Sequence, residues 1–118
     1  MCNPATLNLI TRQIAAAAAE RLGERLETVL LYGSYARGDY DKESDIDIMI
    51  LAHTTRDEAQ KIERMMVSTV SAVSVANDVT VSAYVVDCAT FYRWLNVIPF
   101  YQNVLKDGIK INLVRPVQ

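Results

Sequence analysis

Two aspartates two positions apart, Asp45 and Asp47, stand in a stretch of apolar residues that alternates with a period of two. The alternation predicts a β-strand whose one face carries both carboxylates, while Ile46, Ile48 and Ile50 pack beneath the other face. The roots of the two acidic side chains are then roughly 7 Å apart, close enough to converge on one or two hard cations. Aspartate is rare in strands and facing carboxylates repel each other, so a magnesium site explains the pair better than a solvent-facing strand edge does.

A tight turn precedes the acidic strand. The apolar run Val29–Tyr32 has the composition of a buried strand and stops at Gly33 and Ser34, a pair that permits a sharp change of direction. The next residues, Tyr35–Arg37, allow about one helical turn before Gly38 ends it. The first backbone N–H groups of such a turn lack helical partners and can point at an anion. The sequence therefore predicts a phosphate-sized turn beside two carboxylates.

These motifs resemble a known signature. The pair Gly33-Ser34 followed by Asp45-Ile46-Asp47 is similar to the signature of the DNA polymerase β-like nucleotidyltransferase superfamily, and the string Gly33–Gly38 with Ser44–Asp47 resembles the minimal nucleotidyltransferases. Many of those small proteins are antitoxins encoded beside a helical HEPN-domain toxin. The resemblance implies an α/β (α+β) fold with a small mixed sheet flanked by helices. It also implies Mg²⁺-dependent transfer of AMP from ATP to a hydroxyl, with a tyrosine of a HEPN ribonuclease toxin as the target. The alternative is a binding module of the same fold that inhibits its partner by occlusion, without catalysis.

The resemblance also implies roles for individual residues. The two aspartates would hold Mg²⁺, while Ser34 and the backbone of Gly33 and Ser34 would bind the β- and γ-phosphates of ATP. Arg37 is placed to pair either with a phosphate or with an aspartate, Asp45 or Asp39, and the sequence leaves these alternatives open.

A third acidic residue, Asp78, precedes a predicted strand at Val79–Val86. Enzymes of this superfamily commonly use a third carboxylate on a neighbouring strand as the base that prepares the attacking hydroxyl. Asp78 matches that position because the alternation places it on one face with Thr80 and Ser82. It therefore joins Asp45 and Asp47 as a predicted catalytic and metal-binding residue. The other interpretation is that Asn77 and Asp78 form only a turn.

Composition indicates one globular domain over residues 1–118. The net charge is −2 and no dense run of Lys or Arg occurs, so stable binding of nucleic acid by this chain alone is not expected. The only thiol and imidazole side chains are those of Cys2, Cys88 and His53, and their spacing does not suit a zinc site. No structural metal or disulfide is therefore expected, and a cytoplasmic location is predicted. No apolar run has the roughly 20 residues of a membrane span. The apolar share of 51% leaves room for a homo- or hetero-oligomer.

Cap signals predict the helices that flank the strands. Asn3 with Pro4, Thr55 with Glu58, Asp87, and Pro99 are typical helix starts, and the first helix should end at Gly23. The long helix after Thr55 is expected to fray over Val67–Val75, where weak helix formers accumulate. The aromatic cluster Trp94–Tyr101 is interpreted as core in preference to a partner surface, and the alternating residues Ile109–Leu113 as an edge strand or docking tail.

Overall fold

Strands and helices alternate along most of the chain in the computed structural model, which describes residues 2–111. Strand β1 leads through a short helix into β2, and a long helix then connects β2 to β3. The elements in chain order are α1 (Pro4–Leu22), a 3-10 turn (Gly23–Arg25), β1 (Leu26–Tyr32), α2 (Ser34–Arg37), β2 (Ile46–Ala52), α3 (Arg56–Ala76), β3 (Val81–Asp87), α4 (Cys88–Trp94), α5 (Pro99–Asp107) and β4 (Ile109–Lys110).

The four described strands form one mixed sheet in the order β3-β2-β1-β4. Strand β1 is antiparallel to both β2 and β4, whereas β2 and β3 are parallel and are connected by α3. In this register Asp47 of β2 lies between Tyr32 of β1 and Ser82 of β3. The small mixed sheet flanked by helices that the sequence predicts is therefore confirmed.

Two helical layers cover the two faces of the sheet. Helices α1 and α3 pack on one face, and their buried side chains join those of the strands in one core cluster, which includes Ile10, Ile14, Ile62, Met66, Val29, Ile48 and Val85. Helices α4 and α5 pack on the other face in a second cluster, which includes Phe91, Val104, Leu30, Tyr32, Met49 and Leu51. Since side chains alternate along β2, Asp47 shares the α4 and α5 face with Met49 and Leu51.

The predicted helix caps form. Asn3 Oδ1 accepts a hydrogen bond from the N–H of Thr6 at 2.8 Å, and Thr55 Oγ1 accepts one from the N–H of Glu58 at 3.1 Å. Asp87 Oδ2 accepts from the N–H of a residue three positions on, at 2.9 Å, at the start of α4. None of the helices within residues 2–111 is long and apolar enough to cross a membrane.

Helix α3 differs from the prediction at its C-terminal end. Its helical hydrogen bonding continues to Ala76, so the expected fraying over Val67–Val75 is wrong. Met66 and Val73 are buried in the first core cluster. Burial of an apolar face stabilises a helix more than the weak propensities of valine and serine destabilise it.

The aromatic segment near the C-terminus also differs from the prediction. Phe91 is fully buried, but Trp94 is 42% exposed and Phe100 is 46% exposed, so the interpretation of the Trp94–Tyr101 cluster as core is wrong for these two rings. The predicted edge strand is present as β4, where Ile109 pairs with Leu31. Leu113, which the alternation places in the same strand, lies outside the described residues.

Candidate active site

The turn after β1 depends on glycine for two separate reasons. Gly33 has φ +76° and ψ −156°, a backbone conformation that is essentially restricted to glycine. A Cβ atom at this position would also lie less than 3.0 Å from Asp47 Oδ2 and 3.4 Å from Asp47 Cγ. The turn backbone therefore touches the side chain of Asp47, and any larger residue would displace that carboxylate.

Helix α2 is the single helical turn that the sequence predicts. The N–H groups of Ala36 and Arg37 both donate to the carbonyl of Gly33 at 3.1 Å, and the N–H of Gly38 donates to the carbonyl of Ser34 at 2.9 Å. Gly38 has φ +83° and ends the helix in the left-handed region. Ser34, the predicted phosphate ligand, is thus the first residue of a helical turn that begins beside Asp47.

The two aspartates of the motif lie at the N-terminal end of β2. Asp47 is half-buried within the strand, and Asp45 stands exposed one residue before the strand begins at Ile46. Burial raises the pKa of Asp47, the negative charge of Asp45 raises it further, and Arg37 lowers it. Arg37 only partly offsets the negative charge of a half-buried carboxylate with a second one beside it, and a divalent cation with oxygen ligands would neutralise the remainder.

Arg37 pairs with acidic side chains on both sides of the turn. Its Nε lies 3.1 Å from Asp39 Oδ2, and its Nη1 lies 3.6 Å from Oδ2 of Asp107, the last residue of α5. Of the aspartate partners that the sequence leaves open, the structure brings Arg37 to Asp39. Arg37 also lowers the pKa of Asp47, so its positive charge acts on that carboxylate.

Asp78 is placed differently from the prediction. Strand β3 begins at Val81 rather than at Val79, and Asp78 lies before it in a turn, exposed, with φ +51°. Before the strand begins, the N–H of Val79 bonds to the carbonyl of Ser74 in α3 instead of to the sheet, and the N–H of Val81 bonds to the Ser74 hydroxyl.

Asp78 and Asp45 nevertheless line one surface cavity of about 490 Å³, together with the loop before β2 and the C-terminal end of α3. The lining residues are Lys42, Glu43, Ser44, Asp45, Ser74, Val75, Asp78, Val79 and Thr80. The residue that lies next to Asp47 on β3 is Ser82, which carries no charge. The role of Asp78 as a third carboxylate stays a prediction.

Two tyrosines near the site have environments that local sequence patterns do not determine. Tyr32 pairs with Asp47 across the sheet, and burial, followed by the charge of Asp47, raises the pKa of its hydroxyl well above the usual range. Tyr35 is buried and stacks on Tyr40 with ring centroids 4.3 Å apart, so Tyr35 packs within the protein. The position of Tyr32 immediately before the glycine turn is the one sequence feature that indicates it lies near the site.

The fold and this site define the class of protein. The family model "Polymerase beta, Nucleotidyltransferase" matches residues 13–112, a span that contains both the glycine turn and the aspartate pair. The chain therefore belongs to the polymerase beta nucleotidyltransferase family, which confirms the resemblance stated from the sequence motifs.

Relatives within this family carry more specific names. The chain is 33% identical over 84 residues to Putative protein adenylyltransferase MJ0604 of Methanocaldococcus jannaschii, a match that covers 71% of this chain and 76% of the relative. It is 56% identical over 43 residues to Putative protein adenylyltransferase MJ0141 of the same organism, covering 35% of this chain and 43% of that relative. In fold it is similar to a chain in the crystal structure of a toxin-antitoxin with AMP-PNP, at 20% identity and a TM-score of 0.50, over 88% of this chain and 74% of the other.

Proposed function

We propose that this chain transfers AMP from ATP to a hydroxyl group of a partner protein, with the hydroxyl oxygen attacking the α-phosphorus and pyrophosphate leaving. The observation that carries the proposal is the direct approach of the Gly33 turn to Asp47, beside Asp45, because it places a turn suited to phosphate against a pair of carboxylates suited to a cation. The names of MJ0604 and MJ0141 support protein as the acceptor class.

Asp45 and Asp47 would hold Mg²⁺. The donor set fits, since both ligands are carboxylates and the pKa of Asp47 is raised by burial and by its like-charged neighbour. When bound, Mg²⁺ would neutralise phosphate charge and lower the pKa of the attacking hydroxyl. The remaining work belongs to the chain. Ser34 and the backbone of the turn would orient the triphosphate, and the rigid turn at Gly33 would fix Asp47.

Arg37 and Asp78 would have supporting roles. The guanidinium of Arg37 stands between Asp39 and Asp107 and is 45% exposed, so it is accessible to a phosphate that approaches the turn. Asp78 would accept the proton of the attacking hydroxyl. Its exposure and its place in the same cavity as Asp45 support that assignment, since an acceptor must reach the base from solvent.

The acceptor that we propose is a tyrosine of a HEPN-domain toxin. The resemblance of Gly33–Gly38 and Ser44–Asp47 to the minimal nucleotidyltransferases supports this particular acceptor. Support for a protein partner in general comes from the exposed aromatic side chains on the face of the sheet that also bears Asp47. Tyr84 on β3 and Phe100 on α5 are each 46% exposed, and the ring of Phe100 contacts that of Tyr32 edge to face at 5.7 Å. Exposed aromatic residues are typical of protein interfaces, and here they would bring a partner close to the carboxylates.

The transferase is tested with the purified chain, Mg²⁺, α-labelled ATP and the protein encoded by the adjacent gene. We expect an increase in the intact mass of the neighbour by whole AMP units, and no increase with Asp45→Asn. Asp57→Asn is the matched control, because Asp57 is an exposed aspartate on α3 remote from the turn, and it should leave transfer unchanged. A stable complex that blocks the neighbour without any mass increase would replace this proposal with inhibition by occlusion.

The proposed partner surface is tested separately with Phe100→Ser. Since Phe100 is 46% exposed, the substitution should leave the melting temperature nearly unchanged while weakening the complex with the neighbour. Val67→Ser on α3 is the control, because Val67 is 57% exposed on the opposite side of the sheet. Equal weakening by both substitutions, or unfolding of the Phe100→Ser protein, would count against this surface.

A further inference from the structure

Three metal-ligand side chains meet at the end of the sheet opposite the aspartate pair. Glu27 lies near the start of β1, His53 directly follows β2, and Cys88 directly follows β3. Because β2 is antiparallel to β1 and parallel to β3, the start of β1 and the ends of β2 and β3 lie at the same end of the sheet. One ligand atom from each side chain lies within 4.8 Å of the other two.

We propose that Glu27, His53 and Cys88 bind a zinc ion, separate from the magnesium proposed at the aspartate pair. A thiolate, an imidazole and a carboxylate are the donors that Zn²⁺ uses, whereas a sulfur donor disfavours Mg²⁺. Three protein ligands leave one tetrahedral position for water. The ion would join the ends of three strands to the first residue of α4.

The geometry allows closure around an ion with small side-chain movements. With metal-ligand bonds of about 2.0 to 2.3 Å, the ligand atoms of a tetrahedral zinc site lie about 3.3 to 3.8 Å apart. Glu27 and His53 are exposed, at 41% and 58%, and their side chains can turn toward an ion, while the thiol of Cys88 is buried and fixed. His53 Nε2 contacts Glu27 Oε2, so without an ion the imidazole pairs with the carboxylate.

The spacing of Cys and His donors along the sequence does not predict this cluster. Glu27 and His53 are 26 positions apart, and Cys88 is still farther along the chain. No local motif connects them. The pairing of Leu26 with Ala52 and of Ala52 with Asp87 brings these strand ends together, and that pairing exists only in the folded sheet.

The site is tested on the full chain, stripped of metal with a chelator and free of any polyhistidine tag. Calorimetric titration should show one Zn²⁺ per chain, and Co²⁺ in its place should give a thiolate-to-metal charge-transfer band. Loss of a supporting residue around a metal costs about 10- to 100-fold in affinity, so loss of a direct ligand in His53→Gln or Cys88→Ser should weaken zinc binding by at least that factor. Cys2→Ser removes the other free cysteine and should leave the affinity unchanged.

The substitutions separate a zinc site from a mere ion pair. His53 is exposed, so His53→Gln should keep the fold even if Cys88→Ser, within the second core cluster, does not. Absence of stoichiometric zinc binding would overturn the proposal. So would zinc binding that is unchanged in His53→Gln, a cobalt spectrum without the thiolate band, or binding that Asp47→Asn abolishes.

Discussion

The approach of Gly33 to Asp47 predicts an unusually specific effect of a single methyl group. Gly33→Ala would place a Cβ atom less than 3.0 Å from Asp47 Oδ2, at a backbone position with φ +76°. The carboxylate would have to move by roughly 1 Å to regain ordinary contact distance. We expect the variant to fold, with lower stability, and to lose most of its transferase activity.

Both magnitudes follow from the geometry. A non-glycine residue in this backbone region costs on the order of 1 to 3 kcal/mol. The unfolding entropy of a 118-residue chain is about 0.25 kcal/mol per kelvin, so the melting temperature should fall by about 4 to 12 °C. Displacement of a ligand by about 1 Å can cost about 10²-fold in rate, so AMP transfer measured well below the melting temperature should fall by that order.

Gly23 provides a matched control outside the site. It also has a positive φ, +56°, but a Cβ atom there would meet nothing within 4 Å. Gly23→Ala should therefore lower the melting temperature and leave transfer by the folded protein unchanged. The assay is labelled AMP incorporation alongside a thermal melt. If Gly33→Ala transferred AMP as fast as Gly23→Ala, the proposed coupling between the turn and Asp47 would be refuted.

Three further substitutions test the site and the fold. Asp47→Asn should cut transfer by on the order of 10²-fold. Since burial and Asp45 raise the pKa of Asp47, ionisation of Asp47 should destabilise the metal-free fold as the pH rises above about 4, and the melts of Asp47→Asn should lack that contribution when compared with the unsubstituted chain. Asp78→Asn should bind Mg·ATP normally yet lose the chemical step in single-turnover assays, and lost nucleotide binding would instead indicate a metal-binding or structural role. Thr55→Ala removes the hydroxyl that caps α3 by accepting the N–H of Glu58. It should lower the free energy of unfolding by about 1 kcal/mol without changing transfer by the folded protein.

Local signals in the sequence are sufficient to predict much of the fold. The caps at Asn3, Thr55 and Asp87 are contacts between residues three positions apart, so the sequence itself contains both partners. The glycine turn and the alternation around Asp47 are likewise local. Periodicity and cap signals alone therefore locate these elements and the carboxylate pair.

The predictions that were wrong depended on tertiary contacts. Strand β3 begins at Val81, two residues later than predicted, and the N–H of Val79 bonds instead to the carbonyl of Ser74 on the preceding helix. Trp94 and Phe100 are large apolar residues of the kind that fill cores. The second core cluster contains Phe91 but neither of these rings, and they remain 42% and 46% exposed. Which apolar residues a small sheet covers depends on helix placement, and local patterns do not determine that placement.

The position of Asp47 within β2 has a consequence for how the site responds to motion. Strand β2 is hydrogen-bonded on both sides and six of its seven residues are buried, so its amides should be among the slowest in the protein to exchange with deuterium. Asp45 lies just outside this strand, exposed at the end of a polar connection. The two carboxylates thus lie on either side of a boundary between a segment that we expect to open only with global unfolding and one that we expect to fluctuate within the native state. If the proposed magnesium site forms, Asp47 would be held in place before the ion binds, and Asp45 would adjust to the ion.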